Sequence, residues 1–100
     1  MLNKSAILAS RYRGAPVDLV VDVRSRLEFW TGHIPGAVCI PVNQLPEGLE
    51  GRGLTWDSRI LVYCSGGIRS VNAASLLKQG GYRNVVDGGA LKDAWTHFQP

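Results

Sequence analysis

Cysteine and histidine are scarce in this chain: the only examples are Cys39 and Cys64, His33 and His97. Two cysteines allow at most one disulfide, which excludes a disulfide-stapled scaffold. The four residues match none of the spacings that hold a structural zinc, so neither a metal site nor a cofactor is expected. Long apolar runs are missing too, and nothing approaches the roughly 20 consecutive apolar residues that span a bilayer. The opening segment, Met1 to Gly14, carries Lys4, Arg11 and Arg13 with no acid before Asp18, the charge bias of a mitochondrial leader. Its apolar core, Ala6-Ile7-Leu8-Ala9, is too short for a secretory segment. A cytoplasmic, reducing setting is the default expectation, and it would keep Cys64 a free thiol. Charge of one sign is also lacking. Eleven Lys and Arg against eight Asp and Glu leave a net +3, too weak and scattered for a nucleic-acid or membrane partner but suited to a small anion.

What is present is a soluble-domain composition, 45% apolar and 19% charged with 12 glycines, over 100 residues. That length allows one core, so a single domain is expected over residues 1–100, its first sixteen weakly specified. No repeat or linker interrupts it.

Residues 4–12 have the pattern of a short helix capped by Ser5, ended by Gly14-Ala15-Pro16. Val17 to Val23 reads as a buried strand whose carboxyl end delivers Asp22-Val23-Arg24. Ser25-Arg26-Leu27-Glu28 has capping-box spacing, and Gly32 and Pro35-Gly36 keep the helix it opens short. A second strand, Ala37 to Ile40, follows, then a short helix in Val42 to Leu49 interrupted by Pro46, then a loop to Asp57. Ile60-Leu61-Val62-Tyr63 reads as a strand covered on both faces, with a helix over about residues 68–79 whose apolar stripe runs Ile68, Val71, Ala74 and Leu77. Asn84 to Val86 is a fourth strand, Asp87-Gly88-Gly89 a turn, and Leu91 to Phe98 a last helix with Leu91, Ala94, Trp95 and Phe98 on one face. Alternation of strands with helices predicts an α/β fold, a central parallel sheet of four or five strands with helices on both faces, binding ligands at the strands' carboxyl ends.

Cys64 stands at one such end, between a strand and a helix amino terminus, where unpaired N–H groups and the helix dipole stabilise an anion. Gly66 and Gly67 let successive N–H groups curl toward one point. Arg69 adds a cation with a planar donor fork, and Ser65 and Ser70 place hydroxyls at the rim. A structural turn would account for the glycines but not for thiol and arginine together. Cys39, in contrast, reads as a small apolar strand residue. Trp30, Trp56 and Trp95 read as core or rim aromatics, Trp30 nearest the mouth of the site. The polar residues near strand ends, Asp22, Arg24, Glu28 and His33, read as supporting scaffold, paired with one another or with backbone.

Asp22-Val23-Arg24, Glu28-Phe29, Gly32-His33-Ile34-Pro35-Gly36-Ala37, Ile40-Pro41, Cys64-Ser65-Gly66-Gly67-Ile68-Arg69-Ser70, Gly88-Gly89 and Trp95, in that order, resemble the signature of single-domain rhodaneses from about residue 17 to residue 97. The resemblance implies a rhodanese-like fold and a sulfurtransferase in which Cys64 carries a persulfide and Ser65, Gly66, Gly67, Ile68, Arg69 and Ser70 bind substrate. It implies as partners a small anionic donor such as thiosulfate and a thiol, cyanide or protein acceptor. Phosphatases of related fold have one residue more between cysteine and arginine. The shorter loop here fits sulfur better than tetrahedral phosphate. Rhodaneses often carry a basic residue directly after the cysteine. Ser65 stands there instead, which implies weak thiosulfate binding and keeps a non-turnover sulfur carrier or partner-binding module as the alternative.

Overall fold

The computed structural model describes residues 10–100. Its centre is a four-stranded parallel sheet in the order β4-β3-β5-β6, built from β3 (Leu19–Asp22), β4 (Val38–Cys39), β5 (Arg59–Cys64) and β6 (Asn84–Ala90). The expected parallel α/β fold is present, with four strands in this sheet. Period-two alternation sorts the strand side chains between two cores. Val21, Ile60, Val62 and Cys64 face one way, toward α2 (Ile68–Gln79) and its buried Ala73, Ala74 and Leu77. Val20, Leu61 and Tyr63 face the other, against Ala94 of α3 (Leu91–Thr96) and Ile34, Tyr12 and Phe98. Leu77 is fully buried, worth about 1.5–3 kcal/mol of transfer free energy.

Three short strands form a separate antiparallel sheet: β1 (Arg11–Tyr12), β2 (Ala15–Pro16) and β7 (Phe98–Gln99), with β1 in the middle. This corrects the expected helix over 4–12, of which residues 4–9, Ser5 included, lie outside the described residues. Arg13 and Gly14 both take positive φ, 51° and 81°, the conformation of a two-residue hairpin turn, so Tyr12 folds back on Ala15. Phe98 likewise leaves the predicted helix, which ends at Thr96, and pairs with Tyr12. The Arg59 guanidinium joins the two sheets by donating to the Tyr12 and Ala15 carbonyls, at 3.1 and 2.9 Å.

α1 (Arg26–Trp30) begins with the predicted capping box: the Ser25 hydroxyl accepts from the Glu28 N–H and the Glu28 carboxylate from the Ser25 N–H. Val42–Gln44 and Glu47–Leu49 are two single 3₁₀ turns rather than one interrupted helix. α2 spans the predicted 68–79, but its buried stripe is Ser70, Ala73, Ala74 and Leu77. Ile68 and Val71, expected inside, are exposed. Ser70 takes the inward position instead, fully buried rather than at the rim, with its Oγ on the Gly67 carbonyl. Asp87-Gly88-Gly89 is no turn but the end of β6, carried through a bulge: Val62 pairs with Asp87 and Cys64 with Ala90, leaving one extra residue on β6.

Candidate active site

The site is built at the carboxyl end of β5. Cys64 points into the α2-side core by strand alternation and is almost wholly buried. Its sulfur accepts two backbone N–H bonds, from Gly67 at 3.0 Å and from Ser70 at 3.3 Å. α2 has no side-chain cap of its own, so the Cys64 sulfur occupies the acceptor position that a capping oxygen fills in other helices. Ser70 Oγ closes the loop by donating to the Gly67 carbonyl at 3.1 Å.

The two glycines are not equivalent. Gly67 has φ 97°, the left-handed region, and a Cβ there would stand 3.8 Å from the Ala90 nitrogen, so its need is conformational. Gly66 has neither a positive φ nor a neighbour within 4 Å of its Cβ position, and open space lies beside it. The bulge residues were not singled out as site residues by the spacing, yet Gly89 and Ala90 form the wall that Gly67 packs on. Gly88 is required by packing: a Cβ would come within 2.9 Å of Leu61 Cδ1 and 3.0 Å of Ala94 Cβ. The Gly88-Gly89 pair was the available signal.

Ion pairs sort the remaining candidates into two groups. Asp22, at the end of β3, is fully buried and Arg24 nearly so, at 0% and 5% side-chain exposure. Arg24 Nε donates to Oδ1 at 2.9 Å and Nη2 to Oδ2 at 2.7 Å, while the Arg24 N–H also reaches Oδ1 at 2.9 Å. Nη2 donates as well to the Gly32 carbonyl at 2.6 Å, fastening the turn after α1 to the sheet. The bond to Asp22 holds the Arg24 guanidinium above its ordinary pKa. Below it, Tyr63 Oη accepts from the Ile34 N–H at 3.1 Å, and burial pushes its phenol up. His33 stacks on Phe29 with centroids 3.6 Å apart, its Nδ1 2.9 Å from the Phe29 carbonyl. Asp22 and Arg24 thus engage each other and Gly32, His33 engages Phe29, and none of the three bonds Cys64.

Glu28 is different, because it reaches the loop. Its carboxylate accepts from Arg69 Nη1 at 2.7 Å and Nη2 at 2.9 Å, from Ser65 Oγ at 2.9 Å, and from the Ser25 N–H at 3.1 Å. The Arg69 bonds, then the Ser25 N–H and the Ser65 hydroxyl, hold the Glu28 carboxyl well below the usual carboxylate range. Arg69 therefore faces Glu28 across the loop, with side-chain exposures of 39% and 35% for the pair. Among the described residues no enclosed pocket forms, and Trp30, expected at a pocket mouth, stands in solvent. Trp56 and Trp95, expected as core or rim aromatics, are exposed at the surface, Trp56 beside Tyr82 with ring centroids 5.0 Å apart. Cys39 is a partly buried strand thiol that donates to the Arg24 carbonyl at 3.6 Å, its pKa raised by burial.

A cysteine sulfur that accepts two backbone N–H bonds, in a loop opened by a strand and closed by a helix, is placed to act as a nucleophile. The family model described as a rhodanese-like domain matches residues 5–94. The tRNA uridine(34) hydroxylase of Escherichia coli K12 is 34% identical over 85 residues, covering 79% of this chain and 24% of that protein. The chain thus spans about a quarter of the length of these curated relatives. Among solved structures, an E. coli rhodanese with anions superposes with a TM-score of 0.71 at 31% identity, covering 75% of this chain and 88% of that one. The human single-domain sulfurtransferase TSTD1 gives 0.67 at 28% identity, covering 75% of this chain and 78% of that one.

Proposed function

Because this chain belongs to the rhodanese-like domain family, we propose that it is a sulfurtransferase that carries sulfane sulfur on Cys64. The family supports an enzyme of sulfur transfer or related chemistry. The single observation that carries the finer reading is the pair of N–H bonds from Gly67 and Ser70 to the Cys64 sulfur. In the first displacement the Cys64 thiolate bonds to the outer sulfur of a donor such as thiosulfate. The donor's S–S bond breaks, and sulfite leaves with the bonding pair. In the second, an acceptor nucleophile (cyanide, a thiol or a protein group) bonds to the outer sulfur of the persulfide and Cys64 departs as thiolate. Negative charge sits on sulfur throughout, so fixed backbone donors stabilise both transition states. In oxyanion holes one such donor is worth about 3 kcal/mol. No general base is required when the nucleophile is already a thiolate.

Intact-mass spectrometry after donor treatment tests the reading. Wild-type protein gains one sulfur atom and loses it to cyanide as thiocyanate, while Cys64→Ser gains none. Equal uptake by Cys64→Ser refutes it. The non-turnover carrier remains the second reading, favoured by the engagement of Arg69 with Glu28. A protein that loads one sulfur but shows no steady-state turnover with thiosulfate and cyanide would support it.

A further inference from the structure

We propose that Glu28 sets donor selectivity at this site, discriminating against small dianions in favour of singly charged organic sulfane donors. The proposal rests on the sulfur-transfer reading above and names the donor class. Arg69 is the cation nearest the cysteine in the loop, and both of its terminal nitrogens are committed to the Glu28 carboxylate at 2.7 and 2.9 Å. The Ser65 hydroxyl, the other rim donor, is committed to the same carboxylate at 2.9 Å. A donor's sulfonate oxygens and the Glu28 oxygens therefore compete for the same donors. A dianion also meets the carboxylate's charge. The Gly67 and Ser70 N–H groups are untouched by this competition, because they bond the Cys64 sulfur itself.

The flanks of the pair point the same way. Leu27 and Ile68, the chain neighbours of Glu28 and Arg69, are 81% and 85% exposed. Apolar surface next to the pair in sequence is available to a carbon-bearing leaving group and offers nothing to a fully hydrated dianion. An organic thiosulfonate, R–SO₂–S⁻, fits that description. The Cys64 thiolate bonds to its outer sulfur, the S–S bond breaks, the sulfinate R–SO₂⁻ leaves with the pair, and the outer sulfur keeps its negative charge as the Cys64 persulfide. Charge and electrons balance without an oxidant or reductant.

The pair is exposed enough to open in solution, and its carboxylate can be neutralised without disturbing α1, since glutamine serves equally at this position of a capping box. The experiment compares kcat/KM for thiosulfate and for benzenethiosulfonate in wild type and Glu28→Gln, each at low and high salt. Glu28→Gln is expected to raise the thiosulfate-to-benzenethiosulfonate ratio about two- to fivefold, the size of an exposed charge-pair effect. The rim then carries an uncancelled Arg69 charge, so thiosulfate kcat/KM becomes more salt-sensitive than in wild type. An unchanged ratio, or an equal loss with both donors, overturns the proposal and leaves Glu28 a structural residue. Should Glu28→Gln melt well below wild type, the ratio is read at a temperature where circular dichroism shows it folded, and Ser65→Ala, which removes a donor that thiosulfate shares with Glu28 and leaves the carboxylate charged, must not raise the ratio. A rise in Ser65→Ala, or no rise in folded Glu28→Gln, overturns the proposal. Failure of the parent reading looks different: wild-type protein that takes up no sulfur from either donor refutes sulfur transfer itself.

Discussion

Replacing Asp22 by alanine would strip the Arg24 guanidinium of its carboxylate inside the fold. Four bonds disappear, at 2.9, 2.9, 3.1 and 2.7 Å, and the charge left behind is almost inaccessible to water, at 5% exposure. Removing one partner of a buried ion pair costs roughly 3–5 kcal/mol, a large share of the about 5–15 kcal/mol that holds a domain together. At about 4–8 °C per kcal/mol for a domain near this size, Tm should fall by roughly 12–40 °C. Asp22→Asn, which keeps one acceptor oxygen, should fall between that and wild type. Adding Arg24→Met to Asp22→Ala should restore part of the loss, because no buried charge is then unpaired, although the Gly32 carbonyl still lacks its donor. The assay is thermal unfolding by circular dichroism, beside sulfur uptake by mass spectrometry well below each midpoint. A variant at Asp22 that melts with wild type yet takes up no sulfur would refute the scaffold assignment and put Asp22 in the chemistry.

Gly67→Ala should cost about 1–2 kcal/mol, because φ 97° is forced on a residue with a Cβ, and should slow persulfide formation by displacing an N–H from the sulfur. Gly66→Ala should keep wild-type stability, since nothing lies within 4 Å of its Cβ; equal melting losses for the two would refute the distinction. Gly88→Ala should destabilise by about 1–3 kcal/mol through overpacking against Leu61 and Ala94, which urea unfolding would report. Acid should separate wild type from Glu28→Gln. The folded-state pKa of Glu28 lies below its ordinary 4.5, so the stability this gives is present above that value and is lost as pH falls toward the folded one. From about pH 5 to about pH 3 the wild-type Tm should fall more steeply than that of Glu28→Gln, by a modest amount that added salt shrinks because the pair is partly exposed. Parallel curves would refute it.

The parts of the fold legible in the sequence are those where local chemistry and tertiary context agree. The capping box at Ser25 and Glu28, the strand Arg59–Cys64 and the helix Ile68–Gln79 are all present. The misreadings have physical causes. Arg11 and Tyr12 suit a helix by pattern, but they form the middle strand between the adjacent Ala15–Pro16 and the distant Phe98–Gln99, and no local window contains the second pairing. Asp87-Gly88-Gly89 has turn composition, yet its glycines serve a bulge: Gly88 lets α3 approach and Gly89 takes φ 74°. The stripe through Ile68 and Val71 was out of phase because the inward position belongs to a polar residue, Ser70, whose N–H bonds the sulfur. Of the candidate site residues, Cys64, Ser65, Gly67, Arg69, Ser70 and Glu28 are brought together. Asp22 and Arg24 pair with each other and His33 with the Phe29 carbonyl, the scaffold role expected of them.

The two ion pairs near the strand ends differ in what it costs to break them, and that difference assigns their roles. Asp22–Arg24, buried and bonded to backbone at both ends, can be parted only at a cost comparable with unfolding, so it can hold the turn at Gly32 but cannot cycle with substrate. Glu28–Arg69, more than a third exposed, is worth about 0–1 kcal/mol net, within reach of the binding energy of any ligand that offers Arg69 another acceptor. A fixed pair therefore carries the movable one, because Arg24 fastens to the sheet the turn that follows α1, the helix bearing Glu28. Loosening Asp22–Arg24 by mutation would consequently blur the donor selectivity assigned to Glu28 even in protein that stays folded, and conservative Asp22→Asn offers the cleanest place to look. Its thiosulfate-to-benzenethiosulfonate ratio should move toward that of Glu28→Gln. A ratio that stays at the wild-type value would mean α1 is held in place by its own contacts with the loop alone.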